Sequence, residues 1–156
     1  MKTEWNTPLD SNSHSPLLRT LIVDDSALLL ACLIEILDTQ TLVQVVDSAA
    51  DGCEALRKAD LHTPDLVLMD LNMPRMDGLE ATALLRSRLP NTRIIIMTLD
   101  ENVKTKAAAH AHGAHGFIGK GRIVSDLMKE IRRVFRHAAS GGPTETECPP
   151  LRHLRP

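Results

Sequence analysis

Aromatic residues are nearly absent from this sequence: they form 2% of it, with no Tyr, one Trp and two Phe. A core of stacked rings is excluded, so the interior must be assembled from Leu, Ile, Val, Met and Ala, which suits helices layered on a sheet. Cysteine is sparse too. Cys32, Cys53 and Cys148 lie far apart and lack CxxC spacing, which argues against a disulfide-stapled scaffold or a zinc or redox pair and fits a reduced cytoplasmic setting. No apolar run approaches the roughly 18 residues that a membrane span requires, and residues 1–18 offer only Leu17 and Leu18 as an apolar pair, so neither a span nor a secretory leader is expected. Nor does one sign of charge dominate. A net charge of -2 supplies no basic excess to neutralise phosphates, so nucleic acid is not an expected partner and proteins are.

What is present fits one domain: 156 residues, 43% hydrophobic and 24% charged, enough to bury about two thirds of the unfolded surface. Residues 1–17, with Pro, Ser, Asn and His and no periodicity, read as a flexible arm. Residues 140–156, opening on Ser-Gly-Gly-Pro and containing Pro149-Pro150, read as a disordered tail too short for a DNA-reading unit. The folded unit is expected over residues 18–139.

Within it, short apolar runs alternate with helical patterns. Thr20 to Val23, Leu42 to Val46, Leu66 to Met69, Ile94 to Met97 and the weaker Gly116 to Gly119 are the candidate strands. The first, third and fourth are apolar almost without interruption, as befits a parallel sheet covered on both faces, while the second and fifth read as edges. Helical spacing relates Leu29, Leu33 and Ile36, and again Leu127, Ile131 and Val134. Further helices are expected near Gly52 to Ala59, Gly78 to Arg88 and Asn102 to His112, the last stopped by Gly113. The order is (βα)5, an α/β fold whose ligand crevice belongs at the carboxyl ends of the strands.

Polar residues stand at those ends. The first strand runs into Asp24-Asp25, the third into Asp70, the fourth into Thr98, and the fifth into Lys120. Converging carboxylates repel unless a cation intervenes, and a hard divalent ion with oxygen ligands is the natural remedy, Mg²⁺ being the expected one.

Over Arg19 to Ala138 the chain closely resembles the CheY-like receiver domain of bacterial two-component response regulators. The resemblance rests on Leu21-Ile22-Val23-Asp24-Asp25-Ser26, Pro64-Asp65-Leu66-Val67-Leu68-Met69-Asp70, Asn72-Met73-Pro74-Arg75-Met76-Asp77-Gly78, Met97-Thr98 and Gly116-Phe117-Ile118-Gly119-Lys120. It implies a flavodoxin-like, doubly wound five-stranded parallel sheet of order 2-1-3-4-5. By the same resemblance Asp70 is the phosphoacceptor, and Asp25, Asp70 and the main-chain carbonyl of Asn72 hold Mg²⁺, with Asp24 assisting through a water. Lys120 offsets charge, while Thr98 and Phe117 form the switch: the Thr98 hydroxyl meets the phosphoryl group and the Phe117 ring turns into the space vacated. These roles are physically coherent, because phosphoryl transfer to a carboxylate is mainly positioning and electrostatics. The implied donor is a sensor histidine kinase or a histidine phosphotransfer protein, and the implied output is a downstream protein partner. The domain would assist its own phosphorylation and dephosphorylation without being a metabolic enzyme.

Departures from the family pattern shape further expectations. Leu99 stands where a small residue usually borders the carboxylate, predicting slower access and a longer-lived phosphoryl group. Lys120 is followed by Gly121 rather than Pro, predicting a looser loop and resembling receivers of NarL/LuxR-type regulators, though without their DNA-binding half, so a stand-alone receiver is expected. Pro74 restrains Met73 to an extended backbone and so helps aim the Asn72 carbonyl. Lys129, Arg132, Arg133 and Arg136 form a basic face on the last helix, solvated or meeting an acidic partner or a second copy of the chain. His110 and His112 point to different helix faces and His115 lies beyond Gly113, which disfavours a histidine metal site. The helix carrying Ala107, Ala108, Ala109 and Ala111 should pack weakly. Rival readings are a phosphorelay intermediate or phosphate sink, an aspartyl-nucleophile phosphatase, and a binding module that is never phosphorylated.

Overall fold

The computed structural model describes residues 16–139, so the expected arm and tail lie outside the described residues apart from Pro16 and Leu17. Five strands alternate with five helices: β1 (Leu18–Val23), α1 (Ala27–Asp38), β2 (Val43–Ala49), α2 (Gly52–His62), β3 (Leu66–Asp70), α3 (Gly78–Arg88), β4 (Arg93–Thr98), α4 (Val103–Ala111), β5 (Gly116–Gly119) and α5 (Ile123–Ala139). A short 3-10 turn, Lys120–Arg122, joins β5 to α5. Strand order is β2-β1-β3-β4-β5 with parallel pairing throughout, the arrangement expected from the sequence.

The uninterrupted apolar strands are the inner ones because both faces are covered. On one face Leu21, Val23, Val67, Met69, Ile94 and Ile96 pack with Ala55, Ala59, Ala81 and Leu85 of α2 and α3 and with Ala109 of α4. On the other, Ile22, Leu66, Leu68, Ile95 and Met97 pack with Leu33 and Leu37 of α1 and Leu127, Ile131 and Val134 of α5. Burying such side chains contributes roughly 1.5–3 kcal/mol each, an upper figure because the unfolded chain already hides some of that area.

β2 is longer than its apolar run, continuing through Asp47 and Ser48 to Ala49. As an edge strand it tolerates these polar residues, and its register against β1 shifts between Thr20 and Leu21. Helix starts follow sequence signals: Ser26, Asp51, Asp77 and Asn102 each accept a hydrogen bond from a main-chain N–H in the first turn of α1, α2, α3 and α4. Gly113, at φ +99°, ends the turn after α4 in a conformation few other residues adopt.

Candidate functional site

Sheet register assembles the site. Val23 pairs with Met69, which sets Asp24 level with Asp70; Met97 pairs with Asp70, and Gly119 with Thr98, so Thr98 and Lys120 emerge at the same edge. Gly78, the first residue of α3, is required there: a Cβ would run into the main-chain oxygen of Asp70.

Lys120 bridges the two buried carboxylates, its Nζ 3.0 Å from Asp70 Oδ1 and 2.6 Å from Asp24 Oδ2. Asp24 Oδ1 accepts from the Ser26 amide at 2.8 Å. Asp24 Oδ2 is buried, and the Lys120 ammonium is its ion-pair partner. Burial raises the Asp70 carboxyl above its usual range and the Asp24 charge adds to this, while Lys120 and the Asn72 amide act against it. Burial works against the charged Lys120, yet its hydrogen bonds and attraction to Asp24 and Asp70 prevail and its pKa is raised.

Asp24, Asp25 and Asp70 each offer an oxygen, all within 4.8 Å of one another. The donor set is hard and acidic, which fits a small divalent cation. Asp25 is exposed, as is Asn72 in the loop after β3.

Thr98 is fully buried and its Oγ1 accepts from the Asp100 amide at 3.0 Å, so the hydroxyl oxygen is engaged by the loop that follows β4. Phe117 is half-buried against the α4 side of the core and lines two open grooves, one of about 330 Å³ between β5 and α5 and one of about 230 Å³ between α4, β5 and α5. Leu99 does not border a closed path: it is 82% exposed. The loop after β5 is also not simply slack. Lys120 sits in the 3-10 turn, the end of the Glu101 side chain lies where a Cβ on Gly119 would stand, and Glu101 pairs with Arg122. Gly121 has open space around it.

Several charged residues on the loops around the site were not among those expected from the sequence. Asp51, 1% exposed, caps α2 and pairs with Arg75, which holds a left-handed backbone at φ +67°. Asp-Gly ahead of α2 was a capping signal, but nothing in the linear pattern marks Arg75 as its partner. Of the basic face on α5, Lys129 and Arg133 are paired with Asp126 and Glu130 on the same helix. Among the described residues the histidines form no metal cluster.

The response regulator receiver domain family matches this chain over residues 20–132. The chain belongs to that family. The receiver is 40% identical over 116 residues to a protein-glutamate methylesterase/protein-glutamine glutaminase of Caldanaerobacter subterraneus, covering 73% of this chain and 32% of that protein. It is 36% identical over 120 residues to the oxygen regulatory protein NreC of Staphylococcus carnosus, covering 76% of this chain and 55% of the relative. The chain thus spans about a third to about half the length of these relatives. Among solved structures, the CheX-CheY-BeF3-Mg complex of Borrelia burgdorferi aligns with a TM-score of 0.71 and 29% identity, over 76% of this chain and 89% of that one. Among the described residues no helix is long and apolar enough to cross a membrane.

Proposed function

We propose that the receiver takes a phosphoryl group onto Asp70 from a histidine kinase or histidine phosphotransfer protein and reports the change to a protein partner. The observation that carries this reading is Lys120 spanning Asp24 and Asp70 at the carboxyl edge of the sheet. A lone strand-end Asp would be an ordinary cap. A buried Asp whose neighbours are a cation and two more carboxylates is arranged for charge that arrives and leaves.

In the transfer, an Asp70 carboxylate oxygen bonds to phosphorus as the phosphorus–nitrogen bond of the donor's phosphohistidine breaks, and the departing imidazole keeps that electron pair. Lys120 remains beside the new acyl phosphate and offsets its charge as a point cation. Asp24, Asp25, Asp70 and the Asn72 carbonyl would hold Mg²⁺, which when bound neutralises the phosphoryl oxygens. Water attacking phosphorus later returns Asp70 to a carboxylate and releases phosphate.

Thr98 turns its hydroxyl from the Asp100 amide to a phosphoryl oxygen, which draws the β4–α4 loop inward. Phe117, lining the grooves beside α4 and α5, then has room to repack. The phosphoryl group shifts this equilibrium only through contacts that differ between the states, typically about 1–3 kcal/mol.

Incubation with Mg²⁺ and acetyl phosphate, followed by intact-mass measurement, tests the reading. The parent should gain one phosphoryl group and Asp70→Asn none. A parent that gains no mass contradicts it.

A further inference from the structure

The loop between β3 and α3 carries Asn72, and three contacts hold it. At its far end the Gly78 amide donates to the Leu71 carbonyl at 2.9 Å, closing the loop on itself. Toward α2, Gly52 leaves room for Met76, since a Cβ there would lie 2.7 Å from Met76 Cγ. Beside that contact the Arg75 guanidinium pairs with Asp51, whose other carboxylate oxygen accepts from the Glu54 amide at 2.9 Å.

Arg75 has a left-handed backbone that glycine would adopt more easily. Asp51 is a buried carboxylate at 1% exposure, and Arg75 is its ion-pair partner. Burying Asp51 and holding Arg75 left-handed both cost free energy, and the Arg75 side chain stays largely in solvent where an ion pair is weak, so the contribution of the pair lies in fixing geometry more than in adding stability.

We propose that Arg75 is a positioning residue for the cation site: tied to the buried Asp51 at the start of α2, it fixes the β3–α3 loop so that the Asn72 carbonyl faces the carboxylates. This rests on the reading of Asp24, Asp25, Asp70 and Asn72 as the Mg²⁺ ligands. Arg75 touches neither the metal nor Asp70; it acts through the loop. Electrostatics and positioning make opposite predictions. Deleting a nearby positive charge should tighten Mg²⁺ binding, whereas untying the loop should weaken it.

The test is isothermal titration of the full chain with MgCl2, with melting temperatures recorded for each variant. Arg75→Ala and Arg75→Gly should each weaken Mg²⁺ binding roughly tenfold, the usual scale for losing a group that orients a ligand. The glycine variant relieves the backbone, so weakening there assigns the effect to the lost tether. Asp51→Asn keeps the helix cap and should weaken binding similarly; the double variant with Arg75→Ala should be no weaker than either single one. Arg75→Lys should recover most of the affinity. Unchanged or tighter binding in Arg75→Ala, or losses that multiply in the double variant, overturns the inference and leaves the phosphoacceptor reading standing. A parent that binds no Mg²⁺ overturns the inference and the metal assignment together.

Discussion

The two loops that flank Asp70 are built on opposite plans. The β3–α3 loop is fastened by Gly78 against the Asp70 main chain, by Met76 over Gly52 and by Arg75 on a buried carboxylate. The β4–α4 loop instead carries Leu99 at 82% exposure and leads into a helix that starts on Val103, 84% exposed, and whose one buried residue is Ala109. Its fastening is by polar side chains at the surface, Asn102 and Thr105 on Asp100 and Glu101 on Arg122. The proposed function calls for both kinds: one wall that stays to hold a cation and one that moves to signal. Low local burial is what makes the second wall cheap to displace.

The sharpest way to break this contrast is to add one methyl group on each side. Gly78→Ala sets a Cβ against main-chain atoms that cannot yield, so the variant should lose about 3 kcal/mol or more, or fail to fold, in urea denaturation. Gly119→Ala meets only the end of the Glu101 side chain, which can swing out, and should cost about 1 kcal/mol or less. Equal losses at the two glycines would remove the distinction between the loops.

An effect of intermediate size tests how the mobile wall is hinged. His115 precedes β5, and its Nδ1 accepts from the Ile94 amide at 3.0 Å. Burial, with the Arg86 and Arg93 charges, lowers its pKa from 6.5 to about 4. The unfolded chain therefore binds the extra proton first, so this contribution is intact above about pH 6.5 and is lost as the pH falls toward 4, an effect of about 1–3 kcal/mol. Denaturation midpoints across that range should fall for the parent and stay flatter for His115→Gln. Asp47, lowered to about 2 although burial opposes the shift, because Lys58, Ser48 and His62 bond it, acts only in a more acid window.

The smallest stability change is expected at Leu99. Leu99→Ala should alter stability by less than about 0.5 kcal/mol, since the side chain is mostly in solvent. Its effect belongs to kinetics: loss of the phosphoryl group, followed by mass over time, should be faster than in the parent. An unchanged lifetime would mean that Leu99 stays outward in the phosphorylated form as well.

Much of this molecule was legible in the sequence, for identifiable reasons. β1, β3 and β4 declared themselves because both faces are buried and every position must be apolar. Asp24, Asp70, Thr98 and Lys120 were visible as the polar residues that interrupt such runs, and parallel register does the rest. The end of β2 was missed because an edge strand can carry Asp47 and Ser48 without cost. The loop pairs were missed for a different reason. Arg75 with Asp51 and Glu101 with Arg122 join residues far apart in the chain, and a charged loop residue carries no local sign of its partner.

Everything proposed for signalling rests on which carboxylate takes the phosphoryl group. The most direct measurement is borohydride trapping of the chain after incubation with Mg²⁺ and acetyl phosphate, followed by peptide mass mapping. Reduction should fall on Asp70 and vanish in Asp70→Asn, whereas reduction at Asp24 or Asp25, or at no aspartate, would contradict the account.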